Sequence, residues 1–368
     1  MKILLLACLR KNKSGNSFGG AEKSIINLAN YLTSCNYDVT VACIEGSESP
    51  FEINSKVKVL KYNFREKNKL INHYQLYLNT KNAIEKTKAD LIISFWIHPL
   101  FYSILIDKNS KKIYSERNEP SREYGIISKF LRKIMLRKIN GVVFQTKEAQ
   151  NYFDKEVVDK SIIIHNPVYI QYDKYSLVKN YDNRIVTVGR LVNQKNFSFL
   201  INCFHDISQE YSDLILEIYG EGPLKSNLQK QIDSLNMHNK IFLMGAHKNV
   251  IDKIYGAKIF VLCSNYEGMP NALMEAMCLG IPVISSDCPC GGPRELIENY
   301  KNGLLFNCND KYDFINKFNF MMKDANLNKI SKEEKKICNT HSQEKIYGSW
   351  INFINKIGDD ENEKIRKR

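Results

Sequence analysis

Residues Ser264–Ile297 read SNYEGMPNALMEAMCLGIPVISSDCPCGGPRELI. These 34 residues hold the end of an apolar strand, an acidic loop, a proline-started helix, a second apolar strand and a Gly-Gly-Pro helix start. Strand, loop, helix and strand in such quick succession predict a parallel α/β layer. Gly268 lets backbone approach a neighbour closely, and Pro270 suits the first turn of a helix, where its missing N–H would be unpaired anyway. The free N–H groups of that turn, over Gly268, Met269, Pro270 and Asn271, are donors for hydroxyl or phosphate oxygens. Glu275 falls one turn beyond Asn271, so the two share a helix face. A carboxylate there can accept two hydrogen bonds from a vicinal diol such as ribose. Glu267 precedes the helix, where a negative charge is favoured on dipole grounds alone.

Outward from this stretch the same alternation continues. Apolar runs at Arg184–Val188, Leu214–Tyr219, Ile241–Met244, Ile259–Cys263, Val283–Ser285 and Leu304–Phe306 predict strands with helices between them. The first is followed at once by Gly189-Arg190-Leu191-Val192-Asn193-Gln194-Lys195. Ligands of open α/β sheets bind beyond the carboxyl ends of strands, so Arg190 and Lys195 emerge where a diphosphate would sit. Taken alone they would be two solvated cations; strand-end placement beside the two glutamates argues for a site.

The first half has its own series. Lys2–Leu9 is a continuous apolar run, expected of a central parallel strand rather than a secretion signal. Gly19-Gly20-Ala21-Glu22 then opens a helix, a place where backbone N–H groups can receive phosphate. Strands are predicted at Asp38–Ile44, Val57–Tyr62, Leu91–Trp96, Lys112–Ser115, Gly141–Thr146 and Ile162–Ile164, with helices about Asn68–Lys88 and Arg122–Ile139. Gln171–Asn180 lacks periodicity and reads as a linker. At 368 residues two domains are expected. They are placed at 1–170 and 171–341, followed by a terminal helix at 342–357 and a disordered tail at 358–368.

Composition narrows the function classes. A hydrophobic fraction of 43% and a charged fraction of 25% are ordinary for a globular protein, and no apolar run reaches the roughly 18 residues of a membrane span. The ten cysteines show no metal-ligand spacing, and those in strands (Cys8, Cys43, Cys263) act as small apolar residues of a reducing cytoplasm. Residues 1–180 hold 29 Lys and Arg against 17 Asp and Glu, so +12 of the net +13 lies there. That half is expected to face an anionic partner. No nucleic-acid-binding motif accompanies it; an anionic membrane surface is the expected partner, with plain solubility of a Lys- and Asn-rich chain as the alternative.

The E-x7-E spacing of Glu267 and Glu275, the G-R-x4-K of Gly189–Lys195 and the Gly-Gly-x-Glu of Gly19–Glu22 resemble family 4 glycosyltransferases along nearly the whole chain. The run Ser285–Leu296, SSDCPCGGPREL, is similar to bacterial members that build lipid-linked oligosaccharides and surface polysaccharides. Where those usually have Ser-Gly-Pro-Arg-Glu, this chain has Cys290-Gly291-Gly292-Pro293-Arg294-Glu295. The resemblance implies a GT-B fold, two doubly wound Rossmann-like α/β domains facing across a cleft, with the terminal helix crossing back to the first. It implies a retaining transferase acting on a nucleoside diphosphate sugar, with UDP favoured. Arg190 and Lys195 would bind the diphosphate, Glu275 the ribose, and Glu267 with the backbone of Gly268–Asn271 the transferred sugar. Gly20 would approach the phosphate from the first domain. The chain has no Asp-x-Asp motif, so no metal or other cofactor is expected.

The acceptor, a lipid-linked or glycan precursor, is expected at the first domain, on the cytoplasmic membrane face. His98, just beyond Leu91–Trp96, is a candidate for contact with the sugar or the incoming hydroxyl, or else a structural histidine. Glu116, ending the next strand, is a candidate proton acceptor. Ser128–Lys138 sets Lys129, Arg132, Lys133, Arg137 and Lys138 against Phe130, Leu131, Ile134 and Met135, with the cations expected toward lipid and the apolar side toward the core. Two rival readings share this architecture: a nucleotide-sugar 2-epimerase, which the E-x7-E and R-x4-K combination disfavours, and a non-catalytic partner subunit, which the intact site residues disfavour.

Overall fold

The computed structural model describes residues 1–9, 20–46, 51–121, 126–169, 175, 181–334 and 336–366. Gly19, Arg122 and all of Gln171–Asn180 except Tyr175 lie outside them. The chain divides into two compact units, Met1–Asn166 with Glu344–Arg368, and Pro167–Gln343.

The first unit begins with β1 (Lys2–Cys8), α1 (Gly20–Ser34), β2 (Asp38–Glu45), β3 (Lys58–Lys61) and α2 (Lys69–Thr87). It continues through β4 (Leu91–Ser94), α3 (Ile97–Ile106), β5 (Lys111–Ser115), α4 (Ile126–Arg137) and β6 (Gly141–Phe144). Two short helices, α5 (Lys147–Asn151) and α6 (Lys155–Val158), lead into β7 (Ser161–Ile163). The sheet order is β3-β2-β1-β4-β5-β6-β7, every pair parallel. β1 is central and buried along both faces from Ile3 to Cys8, which is why its sequence is a continuous apolar run without alternation.

The second unit repeats the scheme. β8 (Arg184–Val188) leads through a 3-10 turn at Asn193–Lys195 into α7 (Phe197–Glu210) and β9 (Ile215–Tyr219). Next come α8 (Lys225–Ser234), β10 (Ile241–Gly245), α9 (Val250–Ile254) and β11 (Ile259–Leu262). Then follow α10 (Asn271–Leu279), β12 (Val283–Asp287), α11 (Gly292–Leu296) and β13 (Leu304–Asn307). The unit closes with α12 (Lys311–Met321), α13 (Asp324–Glu334) and α14 (Lys336–Thr340). Its all-parallel order is β10-β9-β8-β11-β12-β13. Strand order reverses between β1 and β4 in one sheet and between β8 and β11 in the other; such switch points open a crevice at the strands' carboxyl ends.

The last helix, α15 (Gln343–Arg366), belongs to the first unit. Trp350 is 2% exposed and stacks on Phe95 at 6.0 Å, Tyr347 stacks on Tyr31 at 4.6 Å, and Lys111 Nζ donates to the carbonyl of Ile357 at 2.6 Å. Gly141 at the start of β6 makes room for this helix: a Cβ there would lie 2.4 Å from Ile357 Cδ1.

Four expectations change. The second unit starts at Pro167 rather than 171, because the Val168 N–H donates to His341 at 2.9 Å and its side chain joins that unit's core. The helix expected to stop at Ile357 runs on to Arg366, through Glu361, Glu363 and Lys364, which are good helix formers with no proline among them. β4 ends at Ser94, since Ser94 Oγ bonds Trp96 N and O and turns the chain into α3. In α4 the sides are partly reversed: Phe130 and Leu131 are 65% and 51% exposed, whereas Arg132 is 1% exposed.

Candidate functional site

At the second switch point, the loop after β8 and the loop after β11 are laced together. The backbone N–H of Asn265 donates to Gln194 O at 2.8 Å, Gln194 Nε2 to Tyr266 O at 3.0 Å, and Asn265 Nδ2 to Asn193 O at 2.9 Å. Asn309, beyond β13, donates to Asn265 Oδ1 at 3.1 Å. Small residues set these loops close. A Cβ on Gly220 would lie 1.9 Å from Gly189 O, and one on Gly292 would lie 1.7 Å from Gly268 O. Gly220 also has φ +145, which favours glycine.

The lacing brings Lys195 and Glu267, 72 residues apart, into an ion pair. Glu267 is buried, and its Oε1 also accepts from Ser264 Oγ at 2.7 Å. Its backbone is clamped to the loop after β12, with Glu267 N donating to Pro289 O at 2.7 Å and Cys290 N donating to Glu267 O at 2.9 Å. The extra glycine of Cys290-Gly291-Gly292 is used here: Gly291 adopts φ +77 ahead of α11, and Gly292 lies under Gly268. Cys263 and Cys288 line the same region, and burial raises both thiols, so they are neutral wall rather than nucleophiles.

Arg190 stands exposed beside this pair, with no ion-pair partner among the described residues. Gly268, Met269 and Pro270 are buried, and Pro270 precedes α10 in an extended conformation without a side-chain cap, so the helix's first N–H groups face the loop side. Asn271 and Glu275 are half-buried on α10. Arg190, Lys195, Glu267 and the start of α10 thus share one sheet end, with Glu275 one turn into the helix. Sequence reading missed the bracing side chains Gln194, Ser264, Asn265 and Asn309; polar loop residues have no periodicity to mark them.

In the first unit, His98 lies in the first turn of α3, after β4 at the other switch point. Its ring is 5.0 Å from that of His73, edge to face, and His73 Nδ1 is 2.7 Å from Tyr102 Oη. Partial desolvation, then the neighbouring imidazole, lowers the pKa of His98 from its ordinary value of 6.5, so the ring is neutral at neutral pH. Gly20 is exposed at the first residue of α1.

Glu116, the candidate proton acceptor, is paired in the interior rather than set open at the strand end. It is 3% exposed, and Arg132 Nη1 donates to its Oε2 at 3.0 Å while Arg132 Nη2 donates to Pro120 O at 2.7 Å. The other Glu116 oxygen, Oε1, accepts from the backbone N–H of Arg117 at 3.2 Å. The same pair removes Arg132 from the cations expected to face lipid, and Arg137 is engaged by Asp154 and Glu156. Among the described residues no cluster of three His, Cys, Asp or Glu has metal-site geometry.

Comparison with known proteins agrees along the chain. A family model described as Glycosyl transferases group 1 matches residues 171–337, and one described as Glycosyltransferase Family 4 matches residues 18–172. An uncharacterized glycosyltransferase of Methanocaldococcus jannaschii is 29% identical, covering 85% of this chain and 86% of its own. A Campylobacter jejuni protein is 25% identical over 92% of this chain and 96% of its own. It is named GalNAc-alpha-(1->4)-GalNAc-alpha-(1->3)-diNAcBac-PP-undecaprenol alpha-1,4-N-acetyl-D-galactosaminyltransferase. A crystal structure of Anabaena HepE in complex with UDP and glucose superposes with a TM-score of 0.76 at 17% identity, covering 97% of this chain and 100% of that one, a likeness of fold.

Proposed function

The chain belongs to the family 4 glycosyltransferases of GT-B fold, and on that premise we propose that it transfers a hexose or N-acetylhexosamine from a UDP-sugar, with retention, to a lipid-linked or polysaccharide-precursor acceptor at the cytoplasmic face of a membrane. The observation that carries this reading is the Lys195–Glu267 pair at the second switch point, with Arg190 exposed beside it and Glu275 on the adjoining helix. Support for the donor and acceptor classes comes from the UDP and glucose in the Anabaena structure and the undecaprenol-linked acceptor in the name of the Campylobacter relative.

In this reading the incoming diphosphate draws Lys195 and Arg190 to its oxygens. As the glycosidic bond breaks, negative charge grows on the departing diphosphate, and two fixed cations with the N–H groups of α10 stabilise it without reorganisation. These groups suffice for the leaving-group charge, so the scheme uses no metal. Glu267, released from Lys195, holds hydroxyls of the transferred sugar, and Glu275 holds the ribose diol. The acceptor hydroxyl attacks from the face the diphosphate leaves, passing its proton to the diphosphate oxygen, so Glu267 orients rather than attacks. This departs from hydrolases that use two flanking carboxylates. In the first unit, neutral His98 is suited to accept a hydrogen bond from an acceptor hydroxyl.

A screen of UDP-, GDP- and ADP-sugars against lipid-linked acceptors, with and without chelator, tests the proposal. UDP-sugar turnover that survives chelation and vanishes in Glu275→Ala and Arg190→Ala is expected. Near-normal rates in either variant would refute the site assignment.

A further inference from the structure

Asn196 forgoes a helix cap. It stands at the N-cap of α7, where an asparagine side chain ordinarily accepts a hydrogen bond from a first-turn N–H. Here it makes no such bond, and its backbone lies in the left-handed region at φ +52. Its Nδ2 donates instead to Asn309 Oδ1 at 2.7 Å, 113 residues further along the chain. A residue that departs from a local rule to reach across the fold marks a place where position matters more than helix stability.

Asn309 completes a circuit. Its Oδ1 accepts from Asn196, its Nδ2 donates to Asn265 Oδ1 at 3.1 Å, and Asn265 Nδ2 donates to Asn193 O at 2.9 Å. Asn193 opens the 3-10 turn that ends at Lys195 and Asn196 follows it, so the circuit grips that turn from both ends. Within the turn, Lys195 O accepts from Cys263 Sγ at 3.1 Å. The Lys195 stem lies against Gly189, where a Cβ would stand 3.2 Å from Lys195 Cγ, Cδ and Cε. The circuit consists of neutral amides and a backbone carbonyl, none of which competes with Glu267 for the Lys195 charge or repels an anion. Asn309 is exposed, and hydrogen bonds open to water add little to stability. What they fix is the point from which Lys195 reaches out.

We propose that Asn309 is a positioning residue of the donor site: through Asn196 and Asn265 it holds the turn that aims Lys195 at the diphosphate, without itself touching the donor. This rests on the donor reading above and adds to it a residue outside the G-R-x4-K and E-x7-E motifs, supplied by the loop after β13.

The test is calorimetric titration of UDP into the full chain and its variants. Asn309→Gly removes the amide, while glycine holds the local φ of +65 without strain. It is expected to weaken UDP binding about three- to tenfold, with the circular dichroism spectrum unchanged. Asn309→Asp keeps the acceptor for Asn196 but loses the donor to Asn265 and adds a negative charge. It is expected to bind UDP more weakly than Asn309→Gly, by a margin that shrinks at about 1 M salt. A double-mutant cycle separates aiming from general loosening of the loops. In Lys195→Ala, which lacks the group being aimed, Asn309→Gly is expected to change affinity less than about twofold. In Glu275→Ala, on α10, it keeps its full effect. Tyr312→Ala, exposed on α12, leaves affinity unchanged. Native UDP affinity in Asn309→Gly, or an undiminished effect of that substitution in the Lys195→Ala background, would overturn the proposal and leave the donor reading standing. Absence of UDP binding by the native chain would remove the donor reading and the proposal with it.

Discussion

Arg132 and Glu116 show how far a charged residue's sequence position is from its job. Both looked available from the sequence, one for lipid and one for a proton, yet they bind each other in the interior. Removing one partner leaves the other charge buried alone, so Arg132→Ala is expected to destabilise the first unit by about 3–5 kcal/mol, read as a shifted urea midpoint. A small shift would mean that Glu116 is solvated. Gly292 tests the close approach of two loops. Gly292→Ala drives a methyl into Gly268 O and must part them, so UDP affinity is expected to fall roughly tenfold with the circular dichroism spectrum unchanged. His98 gives a pH prediction. Its folded pKa lies below the usual 6.5, so folding favours the neutral ring. That contribution is fully present above 6.5 and is lost as pH falls through the folded value. The ring-proton titration of His98 by NMR is expected to have its midpoint below 6.5, and His73→Ala to raise it, since His73 contributes to the depression. That Arg190, Lys195 and Glu267 come to one sheet end was legible in the sequence, because each lies in a loop that follows an apolar strand. The direct pairing of Lys195 with Glu267 was not legible, because 72 residues separate them and only tertiary folding joins them.

At the scale of elements, strands were easier to read than helices. Parallel strands buried on both faces are runs of Val, Ile and Leu, and all six apolar runs in the second half coincide with strands. α3 was missed because IHPLFYSILI is apolar all round and carries Pro99, which hides a helical period even though proline is tolerated in a first turn. That omission mattered, since α3 carries His98. α4 was located but its faces were misassigned. Its buried cation is paired with a carboxylate at the end of the preceding strand, β5, and no pattern within the helix predicts that. α15 was located from its start, and its core-facing side is an apolar stripe: Trp350, Phe353, Ile354 and Ile357 are all buried. Trp350→Ala removes a side chain that stacks on Phe95 and is expected to cost about 3–5 kcal/mol, measured as loss of thermal stability. An unchanged melting temperature would show that α15 is dispensable to the first unit's core.

At the scale of the molecule, both halves use the same parallel architecture, but their surfaces differ. The first half carries nearly all of the net positive charge and the exposed Phe130 and Leu131; the second carries the laced loops around Lys195 and Glu267. The uneven charge and the motif positions were visible in the sequence, while the exposure of apolar side chains was not, because exposure is a property of packing rather than of composition. The central claim is that the carboxyl end of the second sheet binds the donor nucleotide through Arg190, Lys195 and Glu275. Calorimetric titration of UDP into the full chain tests it most directly, with Arg190→Ala and Glu275→Ala beside the native protein. Saturable native binding is predicted. Each variant should weaken it by about tenfold to a hundredfold, the loss of one charge-assisted hydrogen bond of roughly 1.5–3 kcal/mol. Native affinity retained in both variants would contradict the account.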